Sequence, residues 1–330
     1  MRGGAVSLAE QCASLATQGY RPDALLVSGM IDLPLFRALI DPMWGRLPTV
    51  LYLHETQLTY PDSDQLRPDL SYAFTNWASA LVADRVVFNS AYHRDVFFSH
   101  VRPFLEGFPD HGHLHLVAAV EARSEVLPVG VDLAWLESAG SRRRDGPPLI
   151  LWNHRWEHDK DPVTFLDTVL RLASDDMPFQ IALCGKNARN DPVEFRRAAE
   201  QLGERVVWLG HADLDTYREL LIGADVVAST ALQEFFGVAI VEAVAAGAFP
   251  VLPNRLAYPE LVPAEFAGDV LYETSRFEEA LRTALADPDG VRQRTVASLA
   301  PLFRRRFSWS AVIDEYDRLL ATVEVETALV

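Results

Sequence analysis

Two carboxylates, Glu234 and Glu242, flank seven residues in Glu234-Phe235-Phe236-Gly237-Val238-Ala239-Ile240-Val241-Glu242. A run bounded by Gly237 and Gly247 reads as a helix, so Glu234 precedes it and Glu242 sits on its body. The positive end of the helix dipole favours an anion at Phe236-Gly237, and carboxylates accept protons from sugar and ribose hydroxyls. That chemistry suits a nucleotide-sugar site, with Glu234, Phe235, Phe236, Gly237, Val238 and Glu242 as donor-binding candidates. A second polar run is His154-Arg155-Trp156-Glu157-His158-Asp159-Lys160-Asp161-Pro162. Its Arg155 guanidinium and Lys160 ammonium could neutralise charge on a departing diphosphate, and Pro162 suits the first turn of a helix through Leu172. The third run, Leu53-His54-Glu55-Thr56-Gln57-Leu58, puts His54 directly after an apolar segment. An imidazole there either holds a sugar hydroxyl or is a structural histidine. Glu55, Gln57 and Asn89 are the acceptor-side candidates, with Asn89-Ser90 capping a helix through Phe98. Tyr258-Pro259-Glu260 could reach a nucleotide.

These residues need strands to carry them. Apolar runs suited to β-strands lie at Ala24–Ser28, Thr49–His54 and Arg85–Asn89, then at Leu149–Asn153, Phe179–Cys184, Val206–Leu209, Val226–Thr230 and Phe249–Leu252. They alternate with helical patterns, which predicts an α/β chain of two doubly wound parallel-sheet domains. The boundaries follow from composition: a first domain over 1–137, a Ser-, Arg-, Gly- and Pro-rich linker over 138–148, a second domain over 149–306 and a terminal helix over 307–330. Ligands of such domains bind at the carboxyl ends of their strands, in a cleft.

Composition narrows the function. The chain has 330 residues and a net charge of −16, which argues against general affinity for nucleic acid or anionic lipid. Arg142-Arg143-Arg144 and Arg304-Arg305-Arg306 read as a solvated linker and a helix end. Only Cys12 and Cys184 occur, too far apart for a paired metal or redox motif. His111, His113 and His115 alternate but follow a loop-like Pro-Asp, and Asp62-Ser63-Asp64 and Asp213-Leu214-Asp215 carry a spacing common by chance. With Arg155, Lys160 and a helix N-terminus available for a diphosphate, no metal is required. No run of eighteen apolar residues occurs and no secretory leader is evident, so a cytoplasmic protein with no membrane partner is expected.

The Glu234…Glu242 pair, Arg155 with Lys160, and Pro128-Val129-Gly130-Val131-Asp132 together resemble the retaining GT-B glycosyltransferases. More narrowly, His54 through Pro61, Leu81-Val82-Ala83-Asp84, Val87-Phe88-Asn89-Ser90, His154 through Pro162 and Glu234 through Ala239 are similar to the tRNA-queuosine α-mannosyltransferase family. That resemblance implies retaining transfer of mannose from GDP-mannose to queuosine in the anticodon of tRNA-Asp, without a cofactor. By the same analogy Glu234 holds donor sugar hydroxyls, Glu242 the ribose, Arg155 and Lys160 the diphosphate, and His54 lies beside the sugar. Members usually begin with a strand and a glycine-rich loop before the segment matching Met1-Arg2-Gly3-Gly4, so the first domain is expected to lack its initial strand. Two alternatives remain open: a small-molecule or glycan acceptor, and a nucleotide-binding module without turnover. Oligomeric state is left open.

Overall fold

The structure is a computed structural model that describes residues 3–61, 70–137, 139, 146–187 and 192–328. Asp62-Ser63-Asp64 and Arg142-Arg143-Arg144 lie outside the described residues, as does most of the 138–148 linker. The chain divides into two compact units, Met1–Pro128 with Ile313–Val330 and Val129–Val312, so the division falls ahead of that linker.

In the first unit β1 (Leu25–Ser28), β2 (Thr49–Leu53), β3 (Arg85–Phe88) and β4 (Ser124–Val126) form a parallel sheet in the order β1-β2-β3-β4. Buried β2 lacks any polar alternation because helices cover both faces of a parallel sheet. Asp84 fixes its register: the Thr49 amide donates to Asp84 Oδ2 at 2.8 Å and the Asp84 amide to the Thr49 carbonyl at 2.9 Å. Tyr316, from the terminal helix Trp309–Ala328, stacks on Tyr52 at 5.9 Å and donates to the Pro128 carbonyl at 3.0 Å.

The second unit holds β5 (Leu149–Trp152), β6 (Gln180–Cys184), β7 (Val206–Gly210), β8 (Val226–Ala228), β9 (Phe249–Pro253) and β10 (Leu271–Tyr272). All are parallel, in the order β10-β9-β8-β5-β6-β7. Asp225 repeats the part of Asp84, accepting from the Leu149 amide at 2.8 Å while its own amide donates to the Leu149 carbonyl at 2.9 Å. Strand order reverses between β5 and β8, the place where open α/β sheets leave a crevice. The two polar runs carrying Arg155–Lys160 and Glu234 follow these two strands.

Several expectations are corrected. β4 and β10 were not expected, and the helix after Ser90 runs past Phe98 through Pro103 to Glu106. Asp213 caps the helix Leu214–Gly223 by accepting from the Thr216 amide at 2.9 Å, so the Asp213-Leu214-Asp215 spacing serves a helix start. Arg304-Arg305-Arg306 lie, as expected, in the exposed last turn of the helix Ala300–Phe307, and the Arg304 guanidinium also donates to the carbonyl of Ala245, in the last turn of the helix Val238–Ala246. Any side chain at Gly130 would collide with the ring of Trp309, whose amide donates to the Val131 carbonyl at 3.1 Å.

Candidate functional site

Adjacent β5 and β8 set two loops side by side, and backbone bonds lace them together. The amides of Leu232 and Gln233 donate to the Asp159 carbonyl at 2.8 and 3.2 Å, while the Thr230 hydroxyl lies 2.9 Å from the carbonyls of both Lys160 and Asp161. Asp161, at φ 47°, turns the chain in the left-handed region and caps the helix Pro162–Ser174, with Pro162 in its first turn as expected. The turn brings the Lys160 ammonium to Glu234: Nζ donates to the Gln233 carbonyl at 2.7 Å and to Glu234 Oε2 at 3.3 Å, and pairs with Asp159 Oδ2 at 3.1 Å. Burial, the largest single effect on each, disfavours charge on both partners, and it is outweighed only by their mutual attraction together with Asp159 on the lysine and with His154 and the Phe236 amide on the carboxylate. Lys160, aided by Asp159, is held above its ordinary value and Glu234 below its own.

Glu234 Oε1 accepts from the amides of Phe235 and Phe236 at 3.1 and 3.3 Å, so those groups are satisfied by the carboxylate rather than left for a ligand. Both Phe side chains are buried, Phe236 edge-on to Phe307 at 5.5 Å, which makes them core residues. Gly237, at φ 96°, starts the helix Val238–Ala246; its carbonyl accepts from the Ile240 and Val241 amides at 3.0 Å, which leaves the Val238 and Ala239 amides with no acceptor within the helix. A Cβ at Gly237 would lie 3.4 Å from Leu261 and Tyr258.

Arg155 and Lys160 do different work. Arg155 is 58% exposed, with Nη1 3.2 Å from Glu157 and Nη2 3.8 Å from Asp159, whereas the Lys160 charge is spent inside the loop. His154, directly before Arg155, is buried, its Nε2 3.3 Å from the Ala228 carbonyl; burial and the Lys160 charge lower it to about 4, so it is neutral at pH 7. Glu242 is half-buried and accepts at Oε2 from the Tyr217 hydroxyl at 2.7 Å. Tyr258 does not reach outward: its buried hydroxyl lies 2.6 Å from Ser229 Oγ.

His54, Glu55, Gln57 and Asn89 belong to the first unit. His54 is exposed at the end of β2, its ring 4.7 Å from that of Tyr52. Asn89 points inward, donating to the His54 carbonyl at 2.9 Å, with Oδ1 2.8 Å from Nδ1 of buried His93. It therefore positions the His54 backbone instead of facing an acceptor, and Ser90 is the residue that caps the helix. The Glu55 carbonyl accepts from Asn76, and Gln57 starts a partly exposed single turn over Gln57–Thr59. The rings of His111, His113 and His115 follow one another at 5.7 and 5.9 Å, and among the described residues no group of three or more His, Cys, Asp or Glu could hold a metal ion.

Residues 1–131 match the family described as tRNA-queuosine alpha-mannosyltransferase N-terminal, and residues 135–298 match glycosyl transferases group 1. The chain belongs to the tRNA-queuosine alpha-mannosyltransferase family. It is 36% identical to the Drosophila melanogaster tRNA-queuosine alpha-mannosyltransferase over 234 residues, 68% of this chain and 61% of that one. It is 25% identical to a Xanthomonas campestris GDP-mannose:cellobiosyl-diphosphopolyprenol alpha-mannosyltransferase over 66% of this chain and 59% of that one. The chain thus spans about three fifths of the curated relatives it matches. In fold it resembles the sucrose-phosphate synthase of Thermosynechococcus elongatus, with a TM-score of 0.68 at 19% identity, over 95% of this chain and 76% of that one. The fold is the GT-B type of two parallel-sheet α/β domains. No helix among the described residues is long and apolar enough to cross a membrane.

Proposed function

We propose that this chain is a retaining glycosyltransferase that moves mannose from GDP-mannose to queuosine in the anticodon of tRNA-Asp. The observation that carries the reading is the Lys160–Glu234 lacing at the paired ends of β5 and β8, in a chain similar to a tRNA-queuosine alpha-mannosyltransferase. On this reading the exposed Arg155 guanidinium and the start of the helix Val238–Ala246 take the diphosphate charge. Lys160 keeps Glu234 ionised, and the carboxylate's remaining lone pairs receive sugar hydroxyls. Glu242 takes a ribose hydroxyl and His54 serves the reacting sugar. The leaving diphosphate is stabilised electrostatically, so neither a protein nucleophile nor a metal is required. Recognition of tRNA is local, through unstacked anticodon bases, in a cytoplasmic setting.

The net charge of −16 favours a second reading, in which the same donor is used on a small-molecule or glycan acceptor. GDP release with GDP-mannose, measured with queuosine-containing tRNA, with tRNA lacking queuosine and without tRNA, separates the two. Queuosine-dependent release, abolished in Glu234→Ala, is expected. Release unaffected by tRNA supports the second reading, and GDP binding without release in any mixture leaves only a binding module.

A further inference from the structure

The contacts around Glu242 have a direction that the carboxylate alone does not supply. Asn153 follows β5 and is 8% exposed; its Nδ2 donates to the Ala239 carbonyl at 3.0 Å and to Tyr217 Oη at 3.0 Å. A backbone carbonyl only accepts, so Ala239 decides which end of the amide is nitrogen. Asn153 Oδ1 is buried without a hydrogen-bond partner among the described residues, a loss that turning the amide over would only exchange for Oδ1 against the Ala239 oxygen. Tyr217 Oη therefore accepts from Asn153, and its single proton goes to Glu242 Oε2 at 2.7 Å. Each bond runs one way, from Asn153 through Tyr217 to the carboxylate. Among the described residues this is the only hydrogen bond the Glu242 carboxylate makes, so Oε1 keeps its lone pairs.

We infer that Tyr217 and Asn153 are positioning residues that hold Glu242 as a one-sided acceptor, with Oε1 presented to a ribose hydroxyl of the nucleoside diphosphate. This rests on the donor site proposed above. Ala239 and Glu242 lie three residues apart on one helix, so Asn153 ties the helix, the tyrosine ring and the carboxylate into one unit. The relay also biases protonation. Burial raises the proton affinity of Glu242, the Tyr217 bond lowers it, and the negative charge of Asp132 raises it. Cys184 is the other ionisable group acting on Tyr217, besides Glu242 itself. Removing the tyrosine hydroxyl leaves burial and Asp132 unopposed, so Glu242 takes up its proton at a higher pH and stops accepting sooner as the solution is acidified.

The test is the affinity of GDP and of 2′,3′-dideoxy-GDP, by calorimetry from pH 5 to 8, for the wild type, Tyr217→Phe, Asn153→Ala and Glu242→Gln. The wild type is expected to prefer GDP by about tenfold, the worth of a hydrogen bond to a charged group. Tyr217→Phe should cut that preference severalfold and move the acid limb of GDP affinity to higher pH. Asn153→Ala should do the same more weakly, and Glu242→Gln should show neither preference nor limb. Dideoxy-GDP affinity, which a merely structural defect would lower alongside that of GDP, should stay unchanged in Tyr217→Phe. A Tyr217→Phe variant with wild-type preference and acid limb overturns the inference. So does a wild type that binds both nucleotides equally, although the nucleotide site then stands. No binding of either nucleotide by the wild type removes the donor site and the inference together.

Discussion

Replacing Lys160 with Met removes one charge from a group of three. The lysine side chain is 10% exposed, and its ammonium stands 3.1 Å from Asp159, itself 2% exposed, and 3.3 Å from Glu234, 18% exposed. Without the ammonium, two carboxylates remain in a poorly solvated loop, with only the exposed Arg155 guanidinium, 3.8 Å from Asp159, as a nearby cation. Breaking such a buried arrangement costs about 3–5 kcal/mol, against roughly 1 kcal/mol or less for an exposed pair. At about 2–4 °C per kcal/mol for a unit of this size, the melting temperature should fall by roughly 6–20 °C. The loss should also depend on pH. In the wild type Glu234 is held below its ordinary value, so its contribution is present at neutral pH and is lost as pH falls through the lowered folded value. In Lys160→Met, burial lifts Glu234 above its unfolded value, so the penalty is greatest at neutral pH and fades as the carboxyl protonates. The gap between the two proteins should therefore narrow from pH 7 to pH 4, and Lys160→Met/Glu234→Gln should regain part of it at pH 7. Hydrogen exchange of the peptides spanning β8, the helix Val238–Ala246 and β9 reads the stability of this unit directly. A loss below about 1 kcal/mol at pH 7, or one that is constant with pH, would refute the reasoning.

Three further outcomes are expected. Gly237→Ala and Gly247→Ala both force a side chain into left-handed backbone, at φ 96° and φ 112°, and should each cost about 1–3 kcal/mol by denaturant titration, but only Gly237→Ala should also weaken GDP binding. Arg155→Ala, at an exposed side chain, should leave the unfolding free energy unchanged to within about 0.5 kcal/mol by denaturant titration while transfer from GDP-mannose falls about 100-fold in a GDP-release assay. His154 is neutral in the folded chain down to about pH 4, so the unfolded chain takes up the proton first as pH falls below about 6.5. Urea titrations should show a loss on the order of 3 kcal/mol between those values, and His154→Gln should remove that part of the slope.

The sequence carried the strands that are long and apolar, such as Thr49–Leu53 and Phe249–Pro253, because a parallel sheet covered on both faces demands uninterrupted apolar runs. It did not carry Ser124–Val126 or Leu271–Tyr272, where two or three residues leave no pattern and the neighbouring strand supplies the reason to pair. At the site, Glu234 and Lys160 were legible as chemistry, but their meeting depends on β5 lying beside β8, a matter of strand order rather than spacing. Phe235 and Phe236 read as ligand contacts from their place in the motif, yet their side chains fill the core. Asn89 read as acceptor-facing and is turned inward by His93 and the His54 carbonyl. Tyr217 and Asn153 gave no signal, since a tyrosine on a helix and an asparagine after a strand are ordinary until Glu242 is found within reach.

The most direct test of the central claim is the mass of the modified nucleoside. Queuosine-containing tRNA-Asp, incubated with the chain and GDP-mannose and then digested to nucleosides, should yield queuosine heavier by one hexose. The α-anomeric linkage should match that of the donor, and no product should form with Glu234→Ala or with tRNA lacking queuosine. Unmodified queuosine beside hexose on another acceptor, or no hexose transfer at all, would contradict the account.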